Sequence, residues 1–173
     1  NIITNIGIHS LEGFEERAKN FVSKERQKVY DDFYTQIYDD LVFSKLKNDF
    51  EIGQIIEKTS PSSESYILDI GSGTGHHVSS LDAHGIKSLG IDISPAMVAK
   101  AKKTYPELNF KTADALNTML FNPNSFTHIT CFYFTIYYIK DKRRFFENCM
   151  KWLMPGGYLS IHLVDRNRFD PVM

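Results

Sequence analysis

Ile67-Leu68-Asp69-Ile70-Gly71-Ser72-Gly73-Thr74-Gly75 joins a short apolar run to three alternating glycines, and helix-forming sequence follows. An apolar run bounded by turn residues reads as a buried strand. Glycines tolerate positive φ and let another group approach the backbone closely. The segment therefore predicts strand, tight loop, then a helix over 75–84 closed by Gly85. The same texture continues downstream. Lys87–Asp92 reads as a strand. Ser94 is placed to cap a helix that Pro95 opens and that ends before Pro106. Leu108–Thr112 and His128–Phe134 read as further strands. Asp141–Leu153 reads as a helix with Phe145, Cys149, Trp152 and Leu153 on one face. Pro155-Gly156-Gly157 stops it, and Tyr158–Asp165 reads as a fifth strand. Strands alternating with helices imply an α/β architecture with a parallel sheet covered on both faces. Right-handed crossovers then put the ligand crevice at the carboxyl ends of the strands, near the first.

Upstream the period changes. Residues 1–10 show none and read as an arm. From Leu11 to about Lys58 the pattern is helical, with Phe14, Ala18, Phe21 and Val22, then Val29, Phe33, Ile37 and Leu41. A second stretch, Phe43 to Glu57, carries Leu46, Phe50, Ile52, Ile55 and Ile56 before Thr59-Ser60-Pro61-Ser62-Ser63 breaks it. Residues 1–60 are thus expected to form a helical arm or lid, and 61–173 a ligand-binding domain, within one structural unit.

Bulk composition narrows the class. A chain of 173 residues suits one domain with one real core. Lys plus Arg is 20 and Asp plus Glu is 21, so a strongly basic nucleic-acid binder is excluded. Aromatic residues reach 13%, which argues against disorder. The two cysteines, Cys131 and Cys149, sit in apolar runs and read as small buried hydrophobes, and a reducing cytoplasmic setting is expected. The longest apolar stretch, Ile129 to Ile139, falls well short of the roughly 20 residues that span a bilayer. The chain starts at Asn1 rather than Met, so it reads as trimmed.

Asp92 closes the strand after the glycine loop, where an acid can accept two hydrogen bonds from ribose hydroxyls. Loop and acid together bind a nucleoside. A dinucleotide fingerprint needs G-x-G-x-x-G, with the third glycine allowing close helix packing. Counted from Gly71, that position is His76, which disfavours a nicotinamide oxidoreductase. His76 and His77 are adjacent, so on a helix they point about 100° apart and do not form a metal chelate. His162 reads as a mid-strand core histidine, and Arg143 and Arg144 as a solvated face.

These segments resemble the class I S-adenosylmethionine-dependent methyltransferases. ILDIGSGTG is similar to their first motif and LGIDIS to their second. Phe110–Ala115, Phe126–Phe132 and Leu153-Met-Pro155-Gly156-Gly157 resemble later ones, so coverage runs from about Tyr66 to Asp165. The resemblance implies a Rossmann-like doubly wound parallel sheet of order 3-2-1-4-5, with S-adenosylmethionine as cofactor and S-adenosylhomocysteine as product. It implies that Asp69, Gly71 and Gly73 shape the methionine end of the pocket, with Ser72 and Thr74 in the same loop, and that Gly75 starts the helix. It assigns Asp92 to the ribose, Ile93 and Met97 to the adenine face, Asp114 to the adenine amine, and the Ala115 backbone beside it. Phe132 would lie near the sulfonium.

Phe33-Tyr34-x-x-Ile37-Tyr38-Asp39 also resembles the tyrosine-bearing segment of small-molecule N-methyltransferases, including those acting on amino sugars. By that likeness Tyr34 or Tyr38 closes over the cofactor. Tyr138, in the aromatic stretch after the fourth strand, is the candidate base or orienter. The packing alternatives stay open: Asp69 as a strand-end acid, Asp114 as a helix cap, and Tyr34 and Tyr38 as one packed helix face.

The expected function is methyl transfer to a small-molecule nucleophile, an amine, by in-line displacement. A bound donor that is already activated needs mainly alignment. The alternatives are a cofactor-binding module or sensor and, third, the nicotinamide oxidoreductase. No nucleic-acid or membrane partner is expected. The family sheet has seven strands, and this chain ends soon after the fifth. The last two are expected to be missing, and the fifth strand to be an edge open to pairing with another copy.

Overall fold

The computed structural model describes residues 32–165 and 167. The expected arm over 1–10 and the first turns of helical sequence, Phe14 to Val29, lie outside the described residues. In chain order the elements are α1 (Asp32–Val42), α2 (Lys45–Thr59), β1 (Tyr66–Ile70), α3 (His76–Ala83), β2 (Lys87–Asp92) and α4 (Pro95–Thr104). Then follow β3 (Asn109–Thr112), β4 (Phe126–Cys131), α5 (Thr135–Tyr138), α6 (Lys142–Trp152) and β5 (Leu153–Ile161).

The sheet order is β3-β2-β1-β4-β5, and every pairing is parallel. The fold is Rossmann-like. β1 is central and covered on both faces, and its Ile67 and Leu68 are fully buried. One face carries Leu68, Ile70, Ile129 and Cys131 against Phe145, Cys149 and Trp152 of α6. The other holds Ile67 against Ile52 and Ile55 of α2 and Leu81 of α3. Each fully buried side chain of this kind contributes about 1.5–3 kcal/mol. Both cysteines are free and buried, as their apolar settings require.

Local signals place the helix ends. The Ser94 side chain accepts from the Met97 N–H, and Pro95 opens α4. Asp141 caps α6 in the same way through the Arg144 N–H.

Four expectations need correction. Leu46 and Phe50 are exposed, because α2 turns Asn48, Ile52 and Ile55 inward instead. Helix α6 ends at Trp152, and β5 begins at Leu153 rather than Tyr158. Pro155-Gly156-Gly157 therefore lies inside a strand, opposite an irregularity between Phe126 and His128 of β4. β5 ends at Ile161, so His162 stands just beyond the strand rather than within it. The aromatic stretch after β4 is the one-turn helix α5 rather than an open loop.

Candidate active site

β1 ends at Ile70, and the chain turns through Gly71 at φ +74°. A Cβ on Gly71 would collide with the Thr135 side chain, so the close approach requires glycine. The Gly71 and Ser72 N–H groups donate to the Ile91 carbonyl, which ties the loop to β2. At Gly75, φ +94°, a Cβ would sit 2.6 Å from Phe110 Cζ. The loop thereby packs onto β3.

A cavity opens over the carboxyl ends of the strands. Among its lining residues are Gly71, Gly73, Asp92, Ile93, Met97, Asp114 and Ala115, together with Tyr38 of α1 and Tyr138 of α5. Nine expected residues thus share one wall system. Asp92 accepts from the Gly73 N–H (3.0 Å) on Oδ2 and from the Ser94 N–H (2.8 Å) on Oδ1. A carboxylate has about four lone-pair sites, so Asp92 keeps acceptor capacity for a ligand. Burial raises the Asp92 pKa; the Ser94 and Gly73 N–H groups oppose that rise, and the Asp69 charge adds to it. Asp114 Oδ1 accepts from the Leu116 N–H (2.8 Å), a local turn that leaves Oδ2 for another donor.

The other expected residues stand behind the wall. Asp69 is buried, and Oδ1 accepts from the Thr130 hydroxyl (2.7 Å). Its Oδ2 is buried without a hydrogen-bond partner. Burial raises its pKa, against the His77 charge and the Thr130 hydroxyl. Ser72 and Thr74 are buried within the loop. Tyr34 packs against Tyr38, ring centroids 5.9 Å apart.

Phe132 does not line the cavity. Its ring lies in the core with Ile52, Ile55 and Leu81, and the cavity wall is made by its neighbour Tyr133. Tyr133 and Phe134 both have positive φ, +46° and +64°. That paired left-handed turn redirects the chain after β4 and turns Tyr133 rather than Phe132 toward the cavity.

Asp39 was missed by sequence reasoning, although it adjoins Tyr38 in the quoted segment. Its Oδ1 accepts from the Thr74 hydroxyl (2.6 Å) and meets His76 Nε2 at 3.1 Å. Its Oδ2 pairs with Lys100 Nζ at 3.3 Å. Lys100 also donates to the Thr35 carbonyl (3.3 Å). One carboxylate therefore fastens α1 to the glycine loop, α3 and α4. Burial raises the Asp39 pKa, but the Thr74, His76 and Lys100 contacts outweigh it and hold the carboxyl below the usual range. His76 itself stacks on Phe43 at 3.7 Å and shares a 2.9 Å hydrogen bond with the Tyr105 hydroxyl. The described residues contain no group of three or more His, Cys, Asp or Glu able to hold a metal ion. No helix among them is long and apolar enough to cross a membrane.

A family model described as "Methyltransferase domain" matches residues 68–161. The chain belongs to that family. Its cofactor is S-adenosylmethionine, and the residues fit that group: a sheet-end acid with spare acceptor capacity, a glycine loop no side chain could replace, and the orphan Asp69 Oδ2.

Curated methyltransferases are among the proteins the chain is similar to. The chain is 32% identical over 145 residues to a dTDP-4-amino-2,3,4,6-tetradeoxy-D-glucose N,N-dimethyltransferase of Saccharopolyspora spinosa, covering 79% of this chain and 57% of that protein. It is 33% identical over 115 residues to an O-methyltransferase of Pyrenophora dematioidea, covering 62% of this chain and 42% of that protein. The chain thus spans about half the length of the curated relatives it matches. Among solved structures, the sugar N-methyltransferase KedS8 of a Streptoalloteichus species superposes with a TM-score of 0.65 at 23% identity, covering 87% of this chain and 60% of that one. That likeness shows the fold.

Proposed function

We propose that this methyltransferase-family protein transfers a methyl group from S-adenosylmethionine to the amine of a small molecule, an amino sugar being the leading class. The observation that carries the reading is the cavity itself. It brings Asp92 and Asp114 together with Tyr38, Thr135 and Tyr138 over the carboxyl ends of a parallel sheet. The 32% identity to a sugar N,N-dimethyltransferase supports an amine acceptor, and the Phe33–Asp39 segment agrees with it.

When bound, the cofactor supplies a methyl group on a cationic sulfur, so the donor arrives activated. The protein's task is alignment and exclusion of water. Asp92 holds the ribose hydroxyls through its spare lone pairs. Asp114 receives the adenine amine, with Met97 and Ile93 against the base. Tyr38, brought over the cavity by α1, and Tyr138 close the methyl end. Burial, then the nearby Tyr34, Tyr133 and Asp92, push the Tyr38 phenol well above its ordinary pKa, so it stays protonated as a donor. No cationic side chain lines the cavity among the described residues, which suits a cationic donor.

The test is conversion of S-adenosylmethionine to S-adenosylhomocysteine with a panel of amino-sugar nucleotides and their hydroxyl counterparts. Turnover with the amines alone supports the reading. Turnover with the hydroxyls alone transfers the function to oxygen. Binding of the cofactor without turnover on any acceptor makes the protein a cofactor-binding module.

A further inference from the structure

The residues of α5 divide their side chains between two tasks. Ile136 is buried in the core with Ile70 and Cys131. The Tyr137 hydroxyl accepts from the Val164 N–H, beyond β5, at 2.9 Å. Those two contacts fasten the helix. Thr135 and Tyr138 line the cavity instead. Residues three apart share a helix face, so one face of α5 presents two hydroxyl-bearing side chains to the cavity.

Thr135 is the more closely held of the two. Its side chain lies against the bare Cα of Gly71, where a Cβ would overlap the threonine Oγ1, Cγ2 and Cβ. Its N–H donates to the Phe132 carbonyl at 3.1 Å, and the two residues between them make the left-handed turn. Strained backbone of that kind persists where the surrounding structure determines it, and it gathers at ligand sites. The Thr135 hydroxyl has no hydrogen-bond partner among the described residues. A glycine loop, a strained turn and an anchored helix thus hold one hydroxyl at the cavity wall.

Sheet order indicates which ligand meets it. β4 flanks β1 on the side away from β2 and β3. Asp92 closes β2 and Asp114 follows β3, so the nucleoside half of the cofactor belongs to those strands. Neighbouring strands lie about 4.8 Å apart, so α5, which follows β4, stands two spacings from the end of β2. That puts Thr135 past the nucleoside, beside Tyr138, on the side from which an acceptor reaches the methyl group.

We propose that Thr135 holds the methyl acceptor: its Oγ1 accepts one N–H of the acceptor amine and turns the nitrogen lone pair toward the methyl group. The inference rests on the transfer reading above. The lone pair forms the N–C bond while the C–S bond breaks, and that electron pair stays on sulfur. The methylammonium product then releases a proton to solvent. Thr135 keeps its own proton throughout and contributes alignment, which governs displacement from an activated donor.

Threonine-methyl NMR on the full chain saturated with S-adenosylhomocysteine reads acceptor contact apart from transfer. The probes are the amino-sugar nucleotides of the panel above and their hydroxyl counterparts. The Thr135 signal, identified by its absence in Thr135→Val, is expected to shift with the amines. A panel that leaves the signal unmoved overturns the proposal. A signal that moves without turnover leaves the acceptor contact standing and sinks the transfer reading alone. In turnover, Thr135→Val keeps the packing on Gly71 and loses only the hydroxyl. Its kcat/KM for the amine is expected to fall about 10-fold, the upper range for one neutral hydrogen bond, with S-adenosylhomocysteine affinity unchanged. Thr135→Ser is expected to recover most of that loss. An unchanged kcat/KM in Thr135→Val overturns the proposal. So does a matching loss of S-adenosylhomocysteine affinity, which would assign the hydroxyl to the cofactor.

Discussion

Asp92 accepts two backbone N–H groups, from Gly73 and Ser94, so its carboxylate is aimed before any ligand arrives. A hydrogen bond to a charged group is worth about 1.5–3 kcal/mol, or roughly 10- to 100-fold in affinity. Asp92→Asn should weaken S-adenosylhomocysteine binding by that factor in calorimetry while the fold persists. Asp69 makes a different prediction. Burial raises its folded-state pKa above the unfolded value. The native state then binds the proton longer than the unfolded chain, so stability falls as pH rises from the ordinary carboxylate range through the raised value. Urea midpoints across that window should decline more steeply for the wild-type chain than for Asp69→Asn. Parallel slopes would show that Asp69 does not carry the effect.

At the scale of elements, α1 is held over the site through one side chain. Asp39 joins Thr74, His76 and Lys100. Its pKa is lowered, so the tie is present above the ordinary carboxylate range and is lost as pH falls through the lowered value. Asp39→Asn should accelerate amide exchange in residues 32–42 while α3 and β1 keep their protection. Uniform acceleration throughout the sheet would mean that Asp39 stabilises the whole fold rather than the lid.

Elements also show where reading the chain succeeds. Ser94-Pro95 announces α4 because capping is local chemistry. α5 and the true start of β5 were not legible. Thr135–Tyr138 is too short to show a period, and Pro155-Gly156-Gly157 imitates a stop while lying opposite a strand irregularity. Tyr133 was missed for a related reason. Nothing in a Tyr-Phe pair signals two successive left-handed residues, and the family resemblance pointed to Phe132 instead. Gly71 and Thr135 are far apart in sequence, and only the fold brings them together.

For the whole molecule, sheet order follows from the succession of motifs. The glycine loop and Asp92 end adjacent parallel strands, and that adjacency forms one crevice. His76 then separates this site from a dinucleotide site, because it fills the third-glycine position and is built into the Asp39 and Tyr105 contacts. The most direct measurement is isothermal titration of the chain with S-adenosylhomocysteine, with NAD as the comparison. The account predicts saturable one-to-one binding of the first and no heat from the second. Binding of NAD, or no binding of S-adenosylhomocysteine, would contradict it.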